Sequence, residues 1–222
     1  MKMYKLVVFD LDGTLCDTLS DLCNAVNFAL ESENHPTHPL SAYNKLVGNG
    51  INNLIKQALM DKGNDEQLCK TVKAHFDAYY PQHLCDETTS YDGIDTLLSE
   101  LRSLKIRTAV HSNKPHAYVP TILKTLFKNH SFDIAWGKRE RFERKPSPQA
   151  LLEIINRLGV DKSEVLYVGD SDVDVLTAHN AGVKVCGVEW GFRGRDELIS
   201  AGADYIARDT KELLSIIKGQ DE

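Results

Sequence analysis

The chain lacks several features that mark particular classes of protein. Its 222 residues include only five cysteines, which are scattered, odd in number and without the spacing of zinc ligands. A disulfide framework or a zinc-held scaffold is therefore disfavoured, and reduced thiols are expected. No apolar run approaches the length of a membrane-spanning helix, and no signal peptide precedes the first apolar stretch. We expect a cytoplasmic location and no membrane partner.

An excess of positive charge is also missing. The chain has 26 Lys and Arg against 32 Asp and Glu, a formal net charge of -6. This balance argues against non-specific binding to nucleic acid or to acidic membranes, although a local site can still bind an anion. The hydrophobic fraction of 42% is ordinary for a globular protein, and the length allows a substantial core. The oligomeric state stays open.

The stretch with the clearest chemistry is an apolar run, Leu6 to Phe9, that stops at Asp10 and Asp12. So short and apolar a run predicts a strand buried on both faces, and ligands of open α/β sheets bind beyond such strand ends. Gly13 permits a tight turn, and Thr14 adds a hydroxyl and an amide there. Two adjacent carboxylates favour Mg²⁺, and an ionised aspartate beside it can attack phosphorus. The alternative is a strand end with a simple polar turn.

The pattern along the chain predicts two kinds of structure. Residues 17–85 have apolar residues at helical spacing and no strand signal, whereas strand and helix signals alternate from Tyr91 onward. Repeated strand–helix units imply a parallel sheet with helices on both faces. The predicted fold class is therefore α/β, a Rossmann-like sheet with an inserted all-helical cap. We assign residues 1–16 and 86–222 to the α/β core and residues 17–85 to the cap.

Polar groups suited to phosphate follow two later apolar segments. Ser112 and Asn113 come after the predicted strand Ile106–Val110 and can bind a phosphoryl oxygen without charge, although a plain turn is the alternative. Lys145 precedes Pro146, which stiffens the chain, and its charge can offset that of a nucleophile and a phosphoryl group. Other cations in this region are alternatives or belong to a solvated face: Lys138, Arg139, Arg141 and Arg144.

A further acidic cluster follows the predicted strand Val165–Val168. Asp170 stands at the end of this strand and can complete a Mg²⁺ site with Asp10 and the backbone carbonyl of Asp12. We expect Ser171 and Asp174 to support this site from behind. A calcium-binding EF-hand loop is a weaker interpretation because the spacing lacks its glycine and its distal glutamate.

These motifs, in this order, resemble those of the haloacid dehalogenase superfamily. The resemblance implies that Asp10 is the nucleophile and Asp12 the general acid and base, and the presence of Asp12 indicates phosphoryl transfer rather than dehalogenation. Ser112 matches the second motif, and Lys145 matches the third, Lys-Pro-x-Pro. The fourth motif is matched by the aspartates at the end of the next strand, Asp170 and Asp174.

The resemblance extends to one branch, the phosphoglycolate phosphatases. The Lys114 and Pro115 that follow Asn113 match that branch, and Gly48 and Asn49 look like its substrate-facing cap loop, although a plain interhelical turn fits equally well. The implied activity is Mg²⁺-dependent hydrolysis of a small phosphorylated metabolite through an aspartyl-phosphate. The implied substrate is 2-phosphoglycolate.

Other activities stay open within the superfamily: a pyrophosphatase, a nucleotidase, or a sugar phosphatase or phosphomutase. Related sugar phosphomutases have a histidine in the cap where this chain has Leu22, which disfavours that reaction. A non-enzymatic regulatory role is disfavoured because every catalytic carboxylate is present.

Overall fold

A sheet of six parallel strands forms the centre of the computed structural model, which describes residues 3–220. The described residues form eight strands: β1 (Leu6–Phe9), β2 (Cys16–Asp17), β3 (Thr89–Ser90), β4 (Arg107–Pro115), β5 (Ile134–Lys138), β6 (Val165–Gly169), β7 (Lys184–Val188) and β8 (Tyr205–Ala207). The order across the sheet is β5-β4-β1-β6-β7-β8, and every pair in it is parallel. β1 therefore lies inside the sheet.

Residues 3–220 also form ten α-helices. They are α1 (Leu19–Ser32), α2 (Leu40–Leu46), α3 (Ile51–Ala58), α4 (Glu66–Tyr79), α5 (Ile94–Ser103), α6 (Val119–Leu126), α7 (Gln149–Leu158), α8 (Asp172–Ala181), α9 (Arg195–Ala201) and α10 (Thr210–Lys218). In the part of the chain that the structure describes, none of them is long and apolar enough to cross a membrane.

Alternation along β1 divides the core between the two faces of the sheet. Val7 and Phe9 join the apolar cluster that contains α5, α6 and α10, whereas Leu6 and Val8 join the cluster that contains α7 and α8. All four side chains are fully buried. The predicted strand with two buried faces and the predicted α/β fold class are thus confirmed.

Helices α1 to α4 form the helical insertion between β1 and the rest of the sheet. α1 packs against α2 and α4, and α3 packs against both α2 and α4. Their buried side chains, such as Val26 and Phe76, share one apolar cluster with Val7 and Phe9 of the sheet. The apolar core of the insertion is therefore continuous with the core on one face of the sheet.

Two features of the strands differ from the sequence prediction. Asp17, which was expected to open an all-helical segment, instead pairs with Thr89 in the antiparallel ribbon of β2 and β3, where the chain leaves and re-enters the core. β4 was expected to end at Val110 but continues to Pro115, with an irregular register against β5. Residues 111–115 extend β4 by pairing with β5, and their sequence does not alternate between apolar and polar residues.

Candidate active site

The register of the central strands brings the predicted motifs together at one edge of the sheet. Phe9 of β1 is aligned with Val110 of β4 on one side and with Val168 of β6 on the other. Residues just beyond these three positions therefore converge. They are Asp10, Asp12, Ser112, Asn113 and Asp170.

Lys145 lies between two buried carboxylates. Its Nζ is 2.9 Å from Asp10 Oδ1 and 2.7 Å from Asp174 Oδ1. Burial alone would lower the pKa of Lys145, but the two carboxylates outweigh it and hold that pKa well above its usual value. Burial raises the pKa of Asp10 to about 7, with Lys145 opposing the shift and Asp174 adding to it. Lys145 thus lies directly against Asp10, the residue predicted to be the nucleophile.

Asp174 is fixed by several donors at the start of α8. The backbone N–H and the hydroxyl of Ser171 donate to its Oδ2 at 3.2 and 2.7 Å, which forms a capping box. Tyr167 also donates to Oδ1 at 3.3 Å. Gly169 lies so close that a Cβ there would be 2.3 Å from the Asp174 side chain. Ser171 and Asp174 therefore orient Lys145 from behind, in the place where they were predicted.

Asp170 is held by neighbours from two other loops. The Thr14 hydroxyl donates to its Oδ1 at 3.2 Å, and the backbone N–H of Phe192 donates to its Oδ2 at 2.8 Å. Burial and the nearby charges of Asp174 and Asp10 raise the pKa of Asp170 well above its usual value.

Glycines leave the space that Asp170 fills. A Cβ on Gly13, whose φ is +84°, would lie 2.3 Å from Asp170 Oδ2, and a Cβ on Gly191 would lie 2.2 Å from Asp170 Cβ. The backbone N–H groups of Gly13 and Thr14 donate to Cys16 and Leu11 carbonyl oxygens inside the turn. Gly13 and Thr14 thus shape the loop and position Asp170, whereas the sequence suggested free phosphate donors.

The carboxylates fit a divalent cation. Ligand oxygens of Asp10, Asp170 and Asp174 lie within 4.8 Å of one another. The only cation of the described residues beside the buried Asp10 Oδ1 is the Lys145 ammonium at 2.9 Å, which leaves the carboxylate able to bind a hard divalent cation as well. Because Asp174 is bound by Lys145 and Ser171, we assign Asp10 and Asp170, with the predicted carbonyl of Asp12, as the residues that would hold Mg²⁺.

Asp12 has a different set of partners from Asp10. Lys114 and Thr18 donate to its Oδ1 at 2.9 and 2.8 Å. No described residue donates to Oδ2, which leaves that oxygen available to a substrate. Lys114 is itself buried, and its Nζ also donates to the Tyr80 hydroxyl at 2.7 Å. Burial alone would lower the pKa of Lys114, but Asp12 and Tyr80 hold it above its usual value.

Ser112 and Asn113 have unequal freedom to bind phosphate. The Ser112 oxygen accepts from the backbone N–H of Lys114 at 3.2 Å, so its own hydroxyl proton can be donated. The Asn113 amide donates to the carbonyl oxygens of Gly48 and Lys145 at 3.1 and 3.4 Å and accepts from the Lys145 N–H at 2.8 Å. Asn113 therefore positions the other groups, where the sequence suggested a direct phosphate contact.

The loop between α2 and α3 covers the site. Three side chains of the core donate to three successive carbonyl oxygens of this loop: Arg193 to Val47 at 3.0 Å, Asn113 to Gly48 at 3.1 Å and Arg144 to Asn49 at 2.8 Å. Gly48 lines the enclosed cavity, whereas Asn49 contributes its carbonyl to Arg144.

The cavity below this loop is small. Its volume is about 30 Å³, and its lining joins carboxylates and polar groups of the core to an apolar wall. The lining residues are Asp10, Asp12, Leu22, Val47, Gly48, Gly50, Ile51, Leu54, Ser112, Asn113 and Lys114. That space holds about two water molecules, so the loop must move for a substrate to enter.

A family model described as "Haloacid dehalogenase-like hydrolase" matches residues 7–188. The chain belongs to this hydrolase family. Among curated haloacid dehalogenase-like relatives, the phosphoglycolate phosphatase of Pasteurella multocida is 33% identical, covering 98% of this chain and 100% of its own length. The phosphoglycolate phosphatase of Haemophilus influenzae strain 86-028NP is 33% identical over 96% of this chain and 98% of its own.

Solved structures of the haloacid dehalogenase-like family agree with this assignment. A protein from Lactobacillus delbrueckii subsp. bulgaricus, provisionally named a phosphoglycolate phosphatase, has a TM-score of 0.92 at 30% identity and covers 97% of this chain and 98% of its own. The predicted family and the predicted enzyme class, a phosphoglycolate phosphatase-like phosphoric monoester hydrolase, are confirmed.

Sequence reasoning missed several groups of this haloacid dehalogenase-like site. Lys114 was noted only as part of a motif, and neither its contact with Asp12 nor that with Tyr80 was predicted. Arg193 and Gly191 were not singled out at all. The one available signal was the position of this lysine directly after Ser112 and Asn113, which were expected at the site.

Proposed function

We propose that the protein is a Mg²⁺-dependent phosphatase that hydrolyses a small phosphomonoester, 2-phosphoglycolate in the first place, through an aspartyl-phosphate on Asp10. The observation that carries this proposal is the separation of two carboxylates into two environments. Asp10 faces Lys145 at 2.9 Å, whereas Asp12 keeps one oxygen without a hydrogen bond from the described residues. These two environments support a nucleophilic role for Asp10 and a proton-transfer role for Asp12.

The first half of the reaction forms the phosphoenzyme. A carboxylate oxygen of Asp10 attacks phosphorus, the ester bond breaks on the opposite side, and Asp12 gives its proton to the departing oxygen. Lys145 offsets the charge on Asp10, and the Ser112 hydroxyl donates to a phosphoryl oxygen. When bound by Asp10, Asp170 and the Asp12 carbonyl, Mg²⁺ would neutralise negative charge on the phosphoryl group.

The second half releases phosphate. Asp12, now a carboxylate, takes a proton from a water molecule that attacks phosphorus, and the bond between phosphorus and the Asp10 oxygen breaks. Inorganic phosphate leaves, and Asp10 and the proton on Asp12 are restored. The cap loop excludes bulk water during both halves because its carbonyl oxygens are held by the core.

Residues 17–85 act in this proposal as the cap, and residues 1–16 and 86–222 as the core. Residues 1–2 and 221–222 of that core lie outside the described residues. The small cavity favours a compact leaving group, and relatives named phosphoglycolate phosphatase support 2-phosphoglycolate. Leu22 in the cavity wall supplies no group for the proton transfer that a mutase needs.

The experiment is phosphate release from a panel of substrates, with Mg²⁺ and with chelator. The panel contains 2-phosphoglycolate, pyrophosphate, sugar phosphates, nucleoside monophosphates and p-nitrophenyl phosphate. We expect the highest kcat/KM with 2-phosphoglycolate, loss of activity in chelator, and no turnover by Asp10→Asn. Turnover by Asp10→Asn would refute the nucleophile, and a better substrate elsewhere in the panel would replace 2-phosphoglycolate.

A further inference from the structure

The cavity contains a buried cation that the phosphoryl-transfer steps do not use. The Lys114 side chain is 1% exposed, and its ammonium donates to Asp12 and to the Tyr80 hydroxyl. An ammonium has three N–H donors, and these two hydrogen bonds are those it makes within the described residues. One donor of a fully buried charge is therefore available at a cavity wall that Lys114 itself lines.

The position of this ammonium relative to Asp12 indicates which part of a substrate it meets. Asp12 must reach the oxygen of the leaving group, and Lys114 Nζ lies 2.9 Å from Asp12 Oδ1. Lys145, the other buried cation of the site, instead contacts Asp10 and Asp174. Lys114 is thus the buried cation that contacts the residue proposed to protonate the leaving group.

The lining residues that come from the helical insertion carry no charge. Leu22, Val47, Ile51 and Leu54 line the cavity from the helical insertion and are apolar. Arg193 is close in space, but its guanidinium donates to the Val47 carbonyl oxygen and lies near Glu197. An anionic group on the leaving group therefore finds its complementary charge at Lys114.

We propose that Lys114 binds a carboxylate of the leaving group and so selects phosphomonoesters that carry this anion on the carbon next to the ester oxygen. The proposal rests on the proposed phosphatase function and adds a specificity residue from the core to it. Asp12 and Tyr80 hold the ammonium in place, so the substrate carboxylate meets an ordered, water-excluded cation. Charge-assisted hydrogen bonds of this kind are about twice as strong as neutral ones.

The test compares two substrates of nearly equal shape, 2-phosphoglycolate and its neutral amide, 2-phosphoglycolamide. The ratio of their kcat/KM values is measured for the wild type, Lys114→Met and the matched control Arg193→Met. We expect the wild type to prefer the carboxylate by about 10- to 100-fold, the range of a charged hydrogen bond. Lys114→Met should reduce that ratio to about one, and Arg193→Met should keep it.

A binding measurement separates this inference from the proposed reaction. Calorimetric titration of both compounds into Asp10→Asn, with and without Lys114→Met, reports the same preference without turnover. If the wild type releases phosphate from neither compound, the proposed function fails, while the binding ratio still decides the role of Lys114. Circular dichroism checks folding, and Lys114→Gln replaces Lys114→Met if that variant does not fold. An unchanged ratio in the Lys114 variant, or a ratio lost in Arg193→Met, overturns the inference.

Discussion

Asp10→Asn is expected to stabilise the metal-free protein at alkaline pH while it removes activity. Asp10 is buried, and its charge faces the charges of Asp174 and Asp12 as well as that of Lys145. Burial dominates and raises the pKa of Asp10 from 3.8 to about 7 in the folded protein. An asparagine has nearly the same shape as the protonated aspartate, and it never ionises.

The size of the effect follows from this pKa. Each unit of difference between the pKa values of the folded and unfolded states corresponds to about 1.4 kcal/mol. Ionisation of Asp10 therefore lowers the free energy of unfolding by about 4 kcal/mol. Because the folded-state pKa is the higher one, the contribution of protonated Asp10 to stability is fully present below about pH 3.8 and is lost progressively as the pH rises to about 7. The gain from Asp10→Asn is therefore about 4 kcal/mol at pH 8.5 and less than about 2 kcal/mol at pH 5.

Urea denaturation in chelator, between pH 5 and pH 9, measures this difference. Asp61→Asn, a change at an exposed carboxyl group, is the control and should change the free energy of unfolding little at any pH. Added Mg²⁺ should stabilise the wild type more than Asp10→Asn. If Asp10→Asn is no more stable than the wild type at pH 8.5 in chelator, or if its gain does not depend on pH, the reasoning about this carboxylate is wrong.

Three further substitutions test the supports of the site. Lys145→Met leaves the buried carboxylates of Asp10 and Asp174 without their cation. It should lower the free energy of unfolding in urea at neutral pH by about 3–5 kcal/mol and abolish phosphate release. Gly191→Ala places a Cβ 2.2 Å from Asp170 Cβ and should displace this carboxylate. We expect the Mg²⁺ concentration needed for half-maximal activity to rise at least tenfold, and an unchanged value would mean that Gly191 does not position Asp170. Asp21→Asn removes a buried carboxylate of α1 that accepts hydrogen bonds from three donor groups of Glu87 and Thr88, and it should cost about 1–3 kcal/mol of unfolding free energy, measured by thermal or urea unfolding. No loss of stability would mean that these hydrogen bonds do not hold the insertion to the core.

The parts of the fold that the sequence predicted are those with local causes. The four apolar residues of β1 are buried on both faces, so the strand could be recognised from its composition. Once several such strands alternate with helices, a parallel sheet follows, and its aligned ends bring Asp10 and Asp170 together. The meeting of these carboxylates was thus a consequence of topology.

What the sequence did not predict depends on contacts between distant segments. Lys114 is 102 residues from Asp12 and 34 from Tyr80. The pairing of β1 with β4 brings Lys114 to Asp12, and the packing of the helical insertion on the core brings it to Tyr80. The extension of β4 through these positions arises from pairing with β5, since its residues show no strand pattern. The same holds for Arg193, whose contact with the Val47 carbonyl spans 146 residues.

The charges of the site explain why its parts depend on one another. Asp10, Asp12, Asp170 and Asp174 bring four negative charges when ionised, and the buried ammonium groups of Lys114 and Lys145 offset two of them. A divalent cation would balance the remainder. Without it, protons must do so, which agrees with raised pKa values of Asp10 and Asp170. Cation binding therefore displaces protons, and its affinity rises with pH as the metal-free fold becomes less stable. The nucleophilic role that we propose for Asp10 and the loss of stability of the metal-free protein with rising pH have the same physical origin, a carboxylate kept away from water.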